Sequence, residues 1–255
     1  MNFIVSSTTD VGISKKTNQD SHIIRVFNTS QGKIVLAVLC DGMGGLSKGE
    51  VASSSVVYAF CKWSEERLPL LCQSFIDEDA IRADWFTIAK KCNENIKAYG
   101  KQVGVSLGTT LTAMLITETK YFIINIGDSR AYEISGDITV LTKDHSLVAR
   151  EVERGMLTPE EAEHDSRKNI LLQCVGASEE VFPDLFVGET KTNAVYMLCS
   201  DGFRHEITSD EIYANLNPFA MNAPETLKSS LDALVELNKQ RLEKDNITVL
   251  AVRTY

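Results

Sequence analysis

Five aspartates stand at the ends of apolar runs, and that placement is the feature of the chain most suggestive of chemistry. The run "IVLAVLCDGMGG" leads straight into Asp41, which is followed by Gly42 and, after Met43, by two more glycines. "AVYMLCSDG" ends at Asp201 and Gly202, and "YFIINIGDSR" passes through Gly127 to Asp128. "KDNITVL" sets Asp245 and Asn246 just before an apolar run, and "NQDSHIIRVF" sets Asp20 before another. Carboxylates brought into one small volume repel and raise one another's pKa unless a cation neutralises them. Carboxylate and carbonyl oxygens are hard donors, suited to Mg²⁺ or Mn²⁺ rather than zinc. A glycine directly after the acid lets a backbone carbonyl approach the same ion. Any single Asp–Gly pair is equally an ordinary turn former. The repetition of one pattern on runs far apart in sequence favours a shared metal centre.

The elements that must position these acids can be read from periodicity. Residues 22–27, 34–39, 109–117, 121–126, 131–134, 194–199 and 247–253 are rich in β-branched and aromatic residues and read as strands. Short polar turns, "ETK" at 118–120 and "SGD" at 135–137, join neighbours as hairpins, which means antiparallel sheet. Helices are predicted over 48–66, 79–99 and 224–243. In the second, Ile81, Trp85, Ile88, Cys92, Ile96 and Tyr99 mark one buried face. The third opens at Pro224 and carries Leu227, Leu231, Leu234 and Leu237. The pattern is α+β, with sheets packed together and covered by helices. Residues 146–169 are poor in apolar side chains and read as a surface segment: Ser146 caps a short helix ending at Gly155, and Thr158, Pro159 and Glu161 start a second with a capping box. No linker or repeat divides the chain, so residues 1–255 are read as one domain.

Composition narrows the partners. The 255 residues carry a net charge of -9, which disfavours nucleic acid and anionic membrane surfaces. The six cysteines form no CxxC pair and mostly lie in apolar segments, as reduced thiols in a reducing compartment do. The N-terminus has no signal-peptide pattern, and no apolar run nears the roughly 20 residues of a membrane span. The expectation is a cytoplasmic protein.

Taken in order, "GISKKTNQD" at 12–20, "CDGMGG" at 40–45, "LGTT" at 107–110, "GDSR" at 127–130, "DHS" at 144–146, "SDG" at 200–202 and "DNIT" at 245–248 resemble the metal-dependent protein phosphatases of the 2C type, in particular their compact bacterial branch. Each piece is weak alone; the ordered set is specific. The resemblance implies an α-β-β-α sandwich of two antiparallel β-sheets flanked by helices, with the metal centre in a cleft at one end. It implies hydrolysis of phosphoserine and phosphothreonine in proteins by a water activated between two Mn²⁺ or Mg²⁺ ions, acting opposite a Ser/Thr kinase, by a protein read as a monomer.

Carried over residue by residue, Asp41 bridges the two ions, Asp201 and Asp245 complete the first, and the Gly42 carbonyl binds the second. Asp128 helps Asp201 hold a third, weaker ion, and Asp20 acts through metal-bound water. Asp144, His145 and Asn246 support the ligands from behind, and the 146–169 segment resembles the bacterial flap, whose His164 is placed in substrate selection.

Departures from the family pattern bear on activity. Lys15, with Lys16 beside it, stands where the family has a phosphate-binding arginine, and lysine offers a point charge instead of a bidentate fork. The alternative is that both lysines are merely solvated. Gln19 replaces a glutamate and brings no charge to the second ion. Met43 stands where many eukaryotic members have a histidine and cannot donate a proton; the bacterial branch shares it. His22 and His205 read as satisfied or solvent-facing. Lys15 and Gln19 motivate a rival reading, a catalytically weak or inactive phosphopeptide-binding member of the same fold, while the intact set Asp41, Asp201 and Asp245 favours catalysis. A dinucleotide-binding reading of "DGMGGLSKG" fails, since the loop lacks GxGxxG and GxxxxGK[ST] spacing.

Overall fold

The run at residues 34–40 is apolar at every position because both of its faces are covered. In Gly32–Cys40 (β3), Ile34, Leu36, Val38 and Cys40 point one way into a cluster with Phe60, Trp63 and Trp85, while Val35, Ala37 and Leu39 point the other way onto Leu198, Leu250 and Val252. Alternation with period two thus survives as a choice between two apolar environments rather than between core and water. The structure is a computed structural model that describes residues 1–43 and 48–255.

One five-stranded sheet runs Phe3–Asp10 (β1), Ile247–Thr254 (β10), Val195–Cys199 (β9), Arg130–Ile134 (β6) and Ile138–Val140 (β7). The other runs Ser21–Thr29 (β2), β3, Leu111–Ile116 (β4), Lys120–Ile126 (β5) and Asp184–Glu189 (β8). Every pairing within them is antiparallel. The sheets pack face to face through a shared apolar layer that includes Met114, Ile123, Tyr196 and Leu198. Helices Gly49–Glu66 (α1), Leu68–Leu71 (α2) and Glu78–Val103 (α3) cover the β3 sheet, with Trp85 edge-on to both Phe60 and Trp63. Asp201–Arg204 (α6), Ser209–Leu216 (α7) and Pro224–Gln240 (α8) cover the β9 sheet, where Leu227, Leu231 and Leu234 meet Met197, Val249 and Ala251. This is the expected four-layer sandwich.

The surface segment forms as expected. Ser146 Oγ accepts from Ala149 N at 3.2 Å to cap Leu147–Glu153 (α4), and Gly155 ends that turn with φ 70°. Thr158 and Glu161 close a reciprocal capping box on Pro159–His164 (α5). Arg167 ties the two together through Glu151 at 2.9 Å and Asp165 at 2.6 Å.

Some elements were not foreseen. Strands β1, β7 and β8 lie at sheet edges, and their sequences are mostly polar, short or mixed. Helix α6 is a single turn, and α7 has only eight residues. Tyr99, expected on the buried face of α3, is 37% exposed, because the helix runs on to Val103 and Gly100 takes the packed position against Leu107.

Candidate active site

All five aspartates meet at one end of the sandwich, because the strands that carry them terminate there. Asp20 precedes β2, Asp41 follows β3, Asp128 follows β5, Asp201 follows β9, and Asp245 precedes β10. Each is locked by backbone contacts of its own. Asp41 N–H donates to Thr110 Oγ1 at 2.9 Å, and its carbonyl accepts from Thr110 N–H at 2.8 Å and Thr109 Oγ1 at 2.9 Å. A Cβ on Gly42 would lie 2.4 Å from the Gln19 carbonyl oxygen and 2.7 Å from Gly49 backbone, so only glycine permits this crossing. Gly202 is equally constrained, since a Cβ there would lie 2.2 Å from the Asn246 carbonyl oxygen. The other two glycines of the opening run, Gly44 and Gly45, lie outside the described residues.

Asn246 ties the first loop to the last strand. Its Oδ1 accepts from Gln19 N–H at 2.8 Å, and its Nδ2 donates to the Val11 carbonyl at 2.9 Å and the Thr17 carbonyl at 3.2 Å. His145 holds the Asp128 turn. Its Nδ1 accepts from Gly127 N–H at 3.3 Å and from Gln173 Nε2 at 2.8 Å, which leaves Nε2 to donate to Asp184 at 3.0 Å. Asp144 is held in a bidentate pair by Arg130 at 2.8 and 2.9 Å. Arg204 lies 3.5 Å from Asp144 and donates to the Asp128 carbonyl at 3.2 Å.

The electrostatics show that the carboxylates share one volume. Burial, then Asp20, Asp201, Asp128 and Asp245, push the Asp41 carboxyl well above the usual carboxylate range. Burial, reinforced by Asp201 and Asp245, carries Asp20 up to about 7 against the Thr248 hydroxyl that donates to it at 2.6 Å. Burial and Asp201 carry Asp128 up to about 7, against the opposing pull of Arg204.

A divalent cation fits this donor set. Asp20 Oδ1 is buried and has no hydrogen-bond partner, and three carboxyls are pushed up for want of positive charge. The three acids expected at the first ion, Asp41, Asp201 and Asp245, share the cleft, but among the described residues no three acid, imidazole or thiolate side chains close on one point. Carbonyl oxygens and water would therefore complete each ion's shell, as hard cations permit.

Lys15 is not merely solvated: its Nζ lies 2.8 Å from Asp245 Oδ1, whereas Lys16 is exposed. Of the two readings of His205, satisfied or solvent-facing, the contacts favour the first. His205 is 14% exposed, with Glu243 at 3.3 Å and Asp201 at 3.7 Å, and despite burial those acids hold its pKa above the ordinary value. A histidine four residues after a strand-end aspartate was the available signal. Gln19 turns its amide nitrogen to Glu50 at 3.3 Å, and its backbone carbonyl accepts from Gly42 N–H at 3.2 Å. His22 is half-buried against Ser7 at 3.1 Å. A cavity of about 900 Å³ opens between the α4–α5 flap and α6–α7, and His164, Lys168, Arg130, Arg204, His205 and Ile212 are among its walls. No helix among the described residues is long and apolar enough to cross a membrane.

The family described as protein phosphatase 2C matches residues 13–240. A serine/threonine phosphatase, stp, of Listeria innocua is 32% identical over 248 residues, covering 96% of this chain and 93% of its own. The structure of the S. agalactiae serine/threonine phosphatase superposes with a TM-score of 0.85 at 31% identity, covering 100% of both chains. The catalytic domain of the serine/threonine protein phosphatase PstP, in complex with two manganese ions, superposes with a TM-score of 0.77 at 29% identity, covering 98% of this chain and 97% of that one.

Proposed function

Because the chain belongs to the protein phosphatase 2C family, we infer that it hydrolyses phosphoserine and phosphothreonine esters in proteins, in a Mn²⁺- or Mg²⁺-dependent reaction. The convergence of five strand-end aspartates on one cleft is the observation that carries this reading. Two such ions would supply an activated water as the nucleophile.

The chain's own residues supply the rest. Asp41, Asp201 and Asp245, with the Gly42 carbonyl, would hold the two ions. Asp128, with Asp201, would serve a third and weaker ion. Asp20 and Gln19 lie behind these, Asp20 with an unpaired oxygen and Gln19 through its backbone contact with Gly42. Lys15, partly exposed and paired with Asp245, neutralises an incoming phosphoryl group as a point charge. Met43 has no proton to give a leaving group. The groove beside the flap receives the substrate chain. The partners are phosphorylated proteins, opposite a Ser/Thr kinase in signalling. The six free cysteines support a reducing cytoplasm.

The test is hydrolysis of an aryl phosphate and a phosphothreonine peptide with Mn²⁺, with Mg²⁺ and with chelator. Turnover should require metal and fall at least ~100-fold in Asp201→Asn, since losing even a ligand's supporting partner costs about 10–100-fold. A folded protein with no turnover under any metal would sink this reading and favour phosphopeptide binding.

A further inference from the structure

His205 lies between two acids that belong to different elements. It caps α6, which begins at Asp201, and its Nε2 is 3.7 Å from Asp201 Oδ2. Its Nδ1 is 3.3 Å from Glu243 Oε2, in the turn that leads from α8 to β10. Glu243 spends its other oxygen on that same turn: Oε1 accepts from Lys244 N–H at 2.6 Å and from Asp245 N–H at 2.8 Å. The side chains of Glu243, His205 and Asp201 are 7%, 14% and 14% exposed, so water does not readily replace these contacts.

The turn is also built at a cost. Leu242, directly before Glu243, has φ 68°, a conformation that disfavours a branched L side chain by about 1 kcal/mol or more. It is 67% exposed, so its own burial does not offset that strain. What the conformation achieves is to turn Glu243 inward, where one carboxylate fixes the Asp245 backbone and the ring that meets Asp201.

We propose that Glu243 and His205 are a positioning pair that orients Asp201, couples it to the Asp245 turn, and so sets the affinity of the site for a divalent ion. The pair touches neither substrate nor reacting atoms; it acts through the two aspartates. This inference rests on the reading of those aspartates as metal donors, and it gives His205, which the family pattern leaves unassigned here, a defined task. Supporting groups of this kind typically change metal affinity about 10–100-fold when removed.

The test compares Mn²⁺ binding by calorimetry on chelator-stripped protein with the Mn²⁺ concentration that gives half-maximal turnover of an aryl phosphate. The variants are His205→Ala, His205→Gln, Glu243→Gln and the double variant His205→Ala with Glu243→Gln. His205→Ala should weaken Mn²⁺ binding about 10–100-fold while saturating Mn²⁺ restores most of the turnover rate. His205→Gln, which keeps a donor near Asp201, should recover part of the affinity. The double variant should bind no more weakly than His205→Ala, because the two residues act as one unit. If His205→Ala fails to fold, the two glutamine variants decide the matter. Wild-type-like Mn²⁺ binding in the variants would overturn the pair alone. Absence of Mn²⁺ binding by the wild type would overturn the metal site and the pair with it.

Discussion

The two sheets contribute acids to the cleft in different electrostatic company. Asp20, Asp41 and Asp128 stand at strand ends of the β3 sheet, and burial together with neighbouring carboxylates pushes all three up. Arg204, 3.9 Å from Asp128, does not offset this. Asp201 and Asp245 stand at strand ends of the β9 sheet, and each faces a basic side chain, His205 at 3.7 Å and Lys15 at 2.8 Å. One side of the cleft therefore needs an external cation, while the other has a protein group close to each acid. The lesson is that one sequence pattern, an acid at the end of a strand, acquires its chemistry from what the opposite loop delivers.

The largest effect that could break this contrast is the pH dependence of stability without metal. Asp20 and Asp128 titrate at about 7 in the fold, against about 3.9 for an unfolded aspartate. The folded state thus binds more protons across that window, so their contribution is fully present below about pH 4 and is lost as pH rises through about 7. The slope reaches about 1.4 kcal/mol per pH unit for each group. In chelator, the thermal midpoint should fall between pH 5.5 and pH 8, and Mn²⁺ should flatten the curve; a midpoint that rises with pH would contradict the contrast.

A smaller effect separates the two sides directly. At pH 8 in chelator, Asp41→Asn removes the cost of burying a carboxyl group without a cation and should raise the midpoint, by about 2–4 °C for each kcal/mol relieved, even as turnover is lost. Asp245→Asn, which releases Lys15, should give no such gain. Equal behaviour of the two variants would make the sheets equivalent.

The smallest effect sharpens the role of the internal cation. The Lys15–Asp245 pair is about a third exposed on each side, and such pairs contribute at most ~1 kcal/mol. Lys15→Ala should hardly move the midpoint but should raise KM for a phosphothreonine peptide more than it lowers kcat. An unchanged KM would show that the ammonium serves Asp245 alone.

Much of this was legible in the chain because it depends on local pattern. The central strands, α1, α3 and α8, the Ser146 cap and the Thr158–Glu161 capping box follow from apolar spacing and from side chains that bond their own backbone. The five aspartates could be named for the same reason, since each sits where an apolar run begins or stops. Of the four edge strands, β2 was found from its apolar run, while β1, β7 and β8, whose sequences are mostly polar, short or mixed, were missed. Tyr99 was misplaced because periodicity does not say where a helix ends.

What tertiary structure decided concerns pairs far apart in sequence. Nothing near Lys15 indicates that its partner is Asp245, and nothing near His205 indicates Glu243. Charge, burial and pKa at the site depend on distances across the two sheets, which the register of β10 between β1 and β9 sets. Residue type and spacing determined which groups arrive at the cleft; the packing of two sheets determined which of them meet there, because Coulomb interaction and desolvation depend on separation in space and not along the chain.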